Sequence, residues 1–294
     1  MKTILITGIN GFLGSFLALQ FKKTYNVIGL QKSTINQARL KGENFKIYSS
    51  NDDLEVIFKE NDIYAVLHIA TIYKSNNDFL ESLIATNVNL PVKLMDLCLK
   101  YKAKAFLNAD SFFNDPRYSY SYLSDYTLSK KHSLDWLKLM SQNSTCKVIN
   151  MKVFHMYGQN DNPTKFVPNI VSKIVKNTDF IDMTDGLQKR DFIYLEDVFQ
   201  AFNIVLNELT NIKEQFKEFE IGTGTAYSIK ELVLLIKEIS KSNTVFNFGT
   251  VPQREGEIME SFADNAELKK LGWEINTTIK EGMSKVIDFE FSSF

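Results

Sequence analysis

The sequence predicts an α/β protein: a doubly wound parallel sheet followed by a smaller mixed C-terminal lobe. Three observations predict it. Short β-branched runs alternate with longer stretches of helical apolar spacing through the first half of the chain. The strand-like runs are continuously apolar rather than alternating, as in a sheet covered on both faces. A spaced glycine triplet joins the first run to the first helical stretch.

In chain order, the predicted strands are 3–7, 26–30, 45–48, 65–69, 105–109 and 147–153. Helical spacing covers 12–23, 54–60, 80–101 and 122–142. Residues 1–158 therefore read as one dinucleotide-binding domain, and such a sheet binds ligands beyond the carboxyl ends of its strands. After Gly158 the texture changes, through the polar, turn-like Gln159–Pro163, to shorter elements. Residues 159–294 are expected to form a substrate-binding lobe, with 190–222 returning to the main domain.

Composition narrows the function classes. A chain of 294 residues can bury a full core, and 44% hydrophobic with 23% charged residues is ordinary globular usage. A formal charge of −1 leaves no basic excess for nucleic acid or an anionic membrane. Cys98 and Cys146 are too few for a disulfide framework and sit in apolar runs, as in a reducing compartment. The N-terminal apolar run, Ile4–Ile6, reads as a buried strand rather than a signal peptide. No stretch approaches the roughly 18 to 20 apolar residues of a membrane span. A cytoplasmic protein is expected, with no metal site.

The first strand ends in Thr7-Gly8-Ile9-Asn10-Gly11-Phe12-Leu13-Gly14. Gly8 permits a tight turn, Gly11 a close approach to a pyrophosphate, and Gly14 close packing of the helix. The helix N-terminus adds N–H groups and a positive dipole end. This is the fingerprint of a Rossmann sheet, and Gly8, Asn10, Gly11, Phe12, Leu13 and Gly14 are candidate cofactor contacts. The second strand ends Leu30-Gln31-Lys32, without the carboxylate that usually holds the ribose of NAD. Gln31 and Lys32 are placed beside the adenosine ribose, which favours NADP over NAD, although Lys32 also reads as a solvated loop lysine. Ala70 and Val153, where the fourth and sixth predicted strands end, complete the candidate cofactor contacts with Tyr126 and Lys130.

Tyr126 and Lys130 stand four apart, on one face of a predicted helix. A phenol with an ordinary pKa of about 10 needs help to exchange a proton, and an ammonium beside it favours phenolate. This pair is the candidate catalytic core; the alternative is a surface pair. Ser111 leaves the fifth strand at the carboxyl edge and can bind a reacting carbonyl oxygen or cap a turn. Asp110 is equally placed and also reads as a loop-closing acid.

With these motifs on the page, the chain resembles the extended short-chain dehydrogenases, the NAD-dependent epimerase/dehydratase family acting on nucleotide sugars. Further matching stretches are His68-Ile69-Ala70, Asn87-Val88, Tyr157-Gly158, Asp185–Phe192, Glu196-Asp197-Val198, Ile221–Gly224 and Arg254–Glu257. More closely, Phe106–Phe113 and Phe246–Gly249, with Gln253–Met259, are similar to the CDP-abequose and CDP-paratose synthases. That resemblance implies NADPH-dependent reduction of carbon 4 of a CDP-4-keto-3,6-dideoxyhexose for surface polysaccharide. A GDP-linked deoxyheptose with the same keto and deoxy pattern would satisfy the same arguments.

The family implies that Arg190 and Arg254 grip a diphosphate, for which the guanidinium fork is suited. It places His155 next to the substrate, where many relatives carry Asn, and Lys165 and Phe166 along the sugar-nucleotide site. Ser111 joins this substrate set, and His68 reads as structural. The family's habit also implies a homodimer through the helices at 80–101 and 122–142.

Departures are informative. The family usually has two small hydroxyl residues where Asp110 and Ser111 stand, and a register slip of two would put Ala109 at the hydroxyl position. Lys152 and Gln159 replace the Arg and Pro common in relatives. Phe112-Phe113 stand where 4,6-dehydratases carry Asp-Glu, so elimination lacks its proton handlers. A 4-epimerase retains its NAD, and the missing second-strand carboxylate argues against that. A non-catalytic dinucleotide-binding regulator is disfavoured by the intact Tyr126, Lys130, Arg190 and Arg254.

Overall fold

The computed structural model describes residues 1–32, 38–73, 80–118 and 123–292. Strand β1 (Thr3–Thr7) leads through α1 (Phe12–Phe21) to β2 (Asn26–Gln31), β3 (Lys46–Ser49), α2 (Glu55–Glu60) and β4 (Ile63–His68). Helix α3 (Leu80–Ile84) widens into a π-helical turn, Ala85–Asn89, before α4 (Leu90–Lys100) and β5 (Ala105–Ser111). A short 3-10 turn, Phe112–Asn114, precedes α5 (Ser124–Ser141) and β6 (Lys147–Val153).

The second half runs β7 (His155–Tyr157), α6 (Phe166–Val175), β8 (Phe180–Met183), β9 (Lys189–Arg190), β10 (Phe192–Tyr194), α7 (Leu195–Asn207) and β11 (Phe216–Ile221). Then follow β12 (Tyr227–Ser228), α8 (Ile229–Ser240), β13 (Val245–Phe248), β14 (Glu260–Ser261), α9 (Ala266–Lys270) and α10 (Ile279–Ser292).

Seven strands form the main sheet in the order β11-β6-β5-β4-β1-β2-β3. The pairs β1–β2, β2–β3, β1–β4 and β4–β5 are parallel, with Thr7 opposite both Leu30 and His68. Strand order reverses between β1 and β4, the switch point at which such sheets hold ligands. The predicted doubly wound fold is the observed one. The remaining strands form small sheets: β10–β7, β12–β9–β14 and β13–β8.

Differences from the predicted elements have local causes. β5 runs two residues further than predicted, to Ser111, so its polar end remains inside the sheet. The single helix expected over 80–101 is interrupted at Ala85–Asn89. Pro91 has no N–H to offer the carbonyl of Asn87, so the regular ladder cannot run through this point. The helix expected over 122–142 begins at Ser124; Tyr122 lies outside the described residues.

The chain divides into two compact units. The first comprises Met1–Asp115, Leu123–Lys152 and Val205–Phe219; the second comprises Pro116–Tyr122, Val153–Ile204 and Glu220–Phe294. The division therefore falls at Val153, ahead of Gly158. Within 190–222, β9 and β10 belong to the small sheets; 205–219 lies in the first unit, and Phe216–Ile221 is the seventh strand of the main sheet.

Each unit has its own core. In the first, Leu5, Val66, Phe106 and Val148 from the strands meet Leu94, Met95 and Cys98 of α4 and Leu137 of α5. Cys146 is buried in the same cluster, and burial pushes the Cys98 thiol up, with Cys146 adding to the effect. In the second, Ile170 and Ile174 of α6, Leu232 and Ile236 of α8 and Met283 of α10 enclose Ile181 and Tyr157. Each such side chain stabilises its unit by about 1.5–3 kcal/mol. Among the described residues no helix is long and apolar enough to cross a membrane, and no His, Cys, Asp and Glu cluster could hold a metal ion.

Candidate active site

The glycine turn is built as the sequence implied, with one revision. Gly8 has φ +64°, and a Cβ there would lie 2.9 Å from the Cα of Ala70, so both conformation and space demand glycine. The Gly11 amide donates to the Gly8 carbonyl at 2.8 Å. A Cβ on Gly14 would fall 2.1 Å from that same carbonyl oxygen. Gly14 thus lets α1 close onto the turn itself. No side chain caps the N-terminus of α1, and no acidic residue lies in its first turn, which carries Phe12 and Leu13. An anionic group placed there would meet the positive end of the helix dipole.

The hydroxyl of Thr7 organises the neighbouring strand end. Its oxygen accepts the amides of Ile69 and Ala70 at 3.0 and 2.9 Å and lies 3.0 Å from His68 Nδ1. With two N–H groups already accepted, the hydroxyl proton goes to Nδ1. Burial holds His68 neutral, its pKa pushed down to about 3, with Lys130 adding to the shift. His68 is thus buried and tied to Thr7. At the end of β2, Gln31 is buried and its Nε2 has no hydrogen-bond partner among the described residues. An adenosine ribose would give that amide an acceptor, so the residues present fit a dinucleotide. Lys32 next to it is exposed, its carbonyl accepting from Asn51 Nδ2 at 3.4 Å.

Tyr126 and Lys130 share the buried face of α5, at 4% and 2% exposure. Lys130 Nζ donates to the carbonyl of Ala109 at 2.7 Å, which ties the helix to the end of β5. Tyr126 stacks on Tyr73, ring centroids 4.3 Å apart, and meets the edge of Phe113 at 6.3 Å. Burial raises the Tyr126 phenol well above its ordinary range, and Tyr73 and Asp110 push it further. Ser111, hydrogen-bonded to the phenol, pulls the other way. Burial also lowers Lys130, and Asp110 opposes that shift. Ser111 Oγ additionally accepts the Phe113 amide at 3.3 Å. It caps the turn and acts on the phenol.

Two buried arrangements were not assigned from the sequence. Asn87, inside the π-helical turn, donates to Ser129 Oγ at 3.0 Å and to the Ile72 carbonyl at 2.9 Å, and accepts the Ile72 amide at 3.0 Å. The matching Asn87-Val88 stretch was the only signal for it. Behind β5, Asp110 accepts from Asn114 and Asn150, Asn150 also donates to Glu218 at 2.7 Å, and Lys152 bridges Glu218 (2.7 Å) and Asp115 (3.3 Å). Lys152 is 3% exposed, and its one positive charge is matched by these two carboxylates.

The second unit holds the other predicted site residues: Val153, His155, Lys165, Phe166, Arg190 and Arg254. Val153, the last residue of β6, is buried. His155 lies against Phe192, and burial with the nearby Arg190 lowers it to about 3, so it is neutral. Lys165 pairs with Asp161 at 2.9 Å, and Phe166 opens α6 half-exposed. Arg190 is buried: its guanidinium donates to Glu257 and, at 2.6 Å, to the carbonyl of Ile258. Arg254 is exposed, in the turn that leads to Glu257.

This sheet and this glycine turn define a dinucleotide-binding protein of the Rossmann type. The chain belongs to the NAD dependent epimerase/dehydratase family, which residues 4–222 match. It is 33% identical over 291 residues to the CDP-abequose synthase of Salmonella muenchen, with 98% of each chain covered. It is 30% identical to the CDP-abequose synthase of Salmonella typhimurium, with 97% of each covered. Among solved structures, the UDP-glucuronic acid 4-epimerase of Bacillus cereus, bound to UDP-glucuronic acid and NAD, superimposes with a TM-score of 0.84 at 21% identity over the whole of both chains. The UDP-glucose 4-epimerase of Thermotoga maritima, bound to UDP-glucose, gives 0.83 at 21% identity over 99% of each. At that identity the likeness is one of fold.

Proposed function

We propose that this protein is an NADPH-dependent reductase of carbon 4 in a nucleotide-linked 4-keto-deoxy sugar, with CDP-4-keto-3,6-dideoxyhexose or a close analogue as substrate. The observation that carries this reading is the end-to-end likeness to two enzymes named CDP-abequose synthase.

The residues supply a simple reduction. A bound dihydronicotinamide supplies the hydride. The phenol of Tyr126, raised by burial, holds its proton at neutral pH, the form a proton donor to a nascent alkoxide must have. Ser111, already within hydrogen-bonding reach of that phenol, orients the keto oxygen beside it. Lys130 holds a positive charge next to the phenol and steadies the phenolate left after transfer. Phe112 and Phe113 follow Ser111, so no acid and base stand ready to eliminate water.

Gly8, Asn10, Gly11, Phe12, Leu13, Gly14, Gln31, Lys32, Ala70 and Val153 are the cofactor contacts of this reading. The absence of a carboxylate at the end of β2 favours the 2′-phosphate of NADP there. His155, Lys165, Phe166, Arg190 and Arg254 are the substrate contacts, and the bond from Arg190 to Glu257 orders the turn that carries Arg254. The protein acts as a homodimer in the cytoplasm.

The test is a cofactor-oxidation screen, with NADPH and NADH in parallel, against CDP-, GDP- and dTDP-linked 4-keto sugars. The expected outcome is stoichiometric NADPH oxidation with a CDP-linked 4-keto-dideoxyhexose. Interconversion of sugars without net cofactor oxidation, or no turnover across the panel, would overturn it.

A further inference from the structure

The polar end of β5 is buried, and Asp110 is its least explained residue. It is 5% exposed, and its carboxylate is clamped by Asn114 Nδ2 at 3.0 and 3.2 Å and by Asn150 Nδ2 at 2.9 Å. Asn150 is itself fixed, accepting from Asn108 Nδ2 at 2.7 Å and donating to Glu218. A carboxylate held by two amides, one of them anchored in turn, has a set position. One peptide away, the carbonyl of Ala109 receives Lys130 Nζ. A buried ammonium is costly unless a negative charge stands near it.

We propose that Asp110 is a positioning residue: its clamped carboxylate is the counter-charge that holds the Lys130 ammonium in its buried place beside Tyr126, and it acts on proton transfer through that pair without touching substrate. This rests on the reading of Tyr126 as proton donor.

Among the described residues, the other charged and titratable groups around the pair do not fill this role. Lys152 on β6 is matched by Asp115 and Glu218. His68 on β4 is neutral above about pH 3. Tyr73, stacked on Tyr126, offers a phenol rather than a carboxylate. Among the described residues, Asp110 is the carboxylate next to the carbonyl that holds Lys130, and its charge bears on both Lys130 and Tyr126. A negative charge there favours the ammonium and disfavours the phenolate, so removing it lets both groups release protons more readily.

Asp110→Asn removes the charge and keeps one oxygen to accept from Asn114 and Asn150, its amide nitrogen replacing the other acceptor. Reduction needs the protonated phenol, so activity falls as pH rises past its ionisation. The alkaline limb of kcat should move to lower pH by about one unit in Asp110→Asn, and Asp110→Glu should restore it. A second readout needs no sugar substrate. Tyrosine labelled with 13C at Cζ is titrated by NMR with the oxidised dinucleotide bound, Tyr126→Phe identifying the signal; that signal should show the same downward move. Where Asp110→Asn does not fold, Asp110→Ser, with the family's small hydroxyl, is read in its place. A uniform loss of kcat at every pH, with the limb and the Tyr126 signal unmoved, would show a merely structural role and overturn the proposal. Failure of the substrate screen leaves the NMR readout in force, so the two failures are distinguishable.

Discussion

Lys130 Nζ donates to the carbonyl of Ala109 at 2.7 Å, and this bond joins the helix that carries Tyr126 to the strand end that carries Ser111. Because Tyr126 lies one helical turn before Lys130, fixing the lysine on Ala109 sets the phenol beside the serine. The strand end and the helix meet through a backbone carbonyl, which every residue at position 109 would present.

Tyr126→Phe removes the phenolic proton and keeps the ring that stacks on Tyr73. Turnover should fall by about 10² to 10⁴, the usual worth of one general acid, with cofactor binding retained. Steady-state rates with NADPH, read beside cofactor titration by fluorescence, check this. A variant keeping more than roughly a tenth of wild-type activity would assign the acid elsewhere.

Lys32→Ala should raise the KM for NADPH roughly five-fold, the worth of one exposed charge pair, and leave that for NADH nearly unchanged. Initial-rate measurements with both cofactors decide it. Equal weakening toward both would place Lys32 off the 2′-phosphate.

The buried histidines predict an acid limb of stability. His68 is held near 3, against an ordinary value of about 6.5, so the unfolded chain binds its proton first as pH falls. A group whose charged form is disfavoured by folding leaves stability whole above about pH 6.5 and erodes it between there and about pH 3. Each such histidine can contribute a slope of up to about 1.4 kcal/mol per pH unit in that window. His68→Asn keeps an acceptor for the Thr7 hydroxyl and removes the titration. Urea midpoints from pH 4 to 7 should then fall less steeply than in the wild type; parallel curves would refute the assignment.

The surface of α5 bears on assembly. Leu134 and Leu137 are buried, whereas Leu128, Trp136 and Leu139 are 54%, 52% and 54% exposed. Those three fall within about 80° of one another around the helix. An apolar stripe of this kind suits burial against its own copy across a two-fold axis. Sedimentation should report about twice the 33.8 kDa chain mass at micromolar protein, and Trp136→Glu should yield folded monomers. A wild-type monomer at high concentration would refute it and leave the chemistry at Tyr126 untouched.

What the chain determines by itself is local. The turn at Gly8 needs a positive φ, which glycine adopts without cost, so the motif is legible where it stands. The spacing of Tyr126 and Lys130 puts them on one face of any helix, and the continuously apolar strands require a covered sheet. The break at Ala85–Asn89 was half legible: Pro91 marks where the ladder fails, but Ser129, the partner of Asn87, stands 42 residues further along the chain. The burial of Asp110 and Lys152 could not be read from their neighbours in sequence. Asn150 stands 40 residues from Asp110, Asp115 37 from Lys152, and Glu218 66. A charged side chain at a strand end is ordinarily solvated, and it can be buried only when its partners arrive from other strands. The sequence therefore determined which residues carry the turn and the helix face, because those depend on dihedral angles and period. Only the tertiary structure decided which charges stand behind them, because the strand order β11-β6-β5 sets which distant side chains share one dry space.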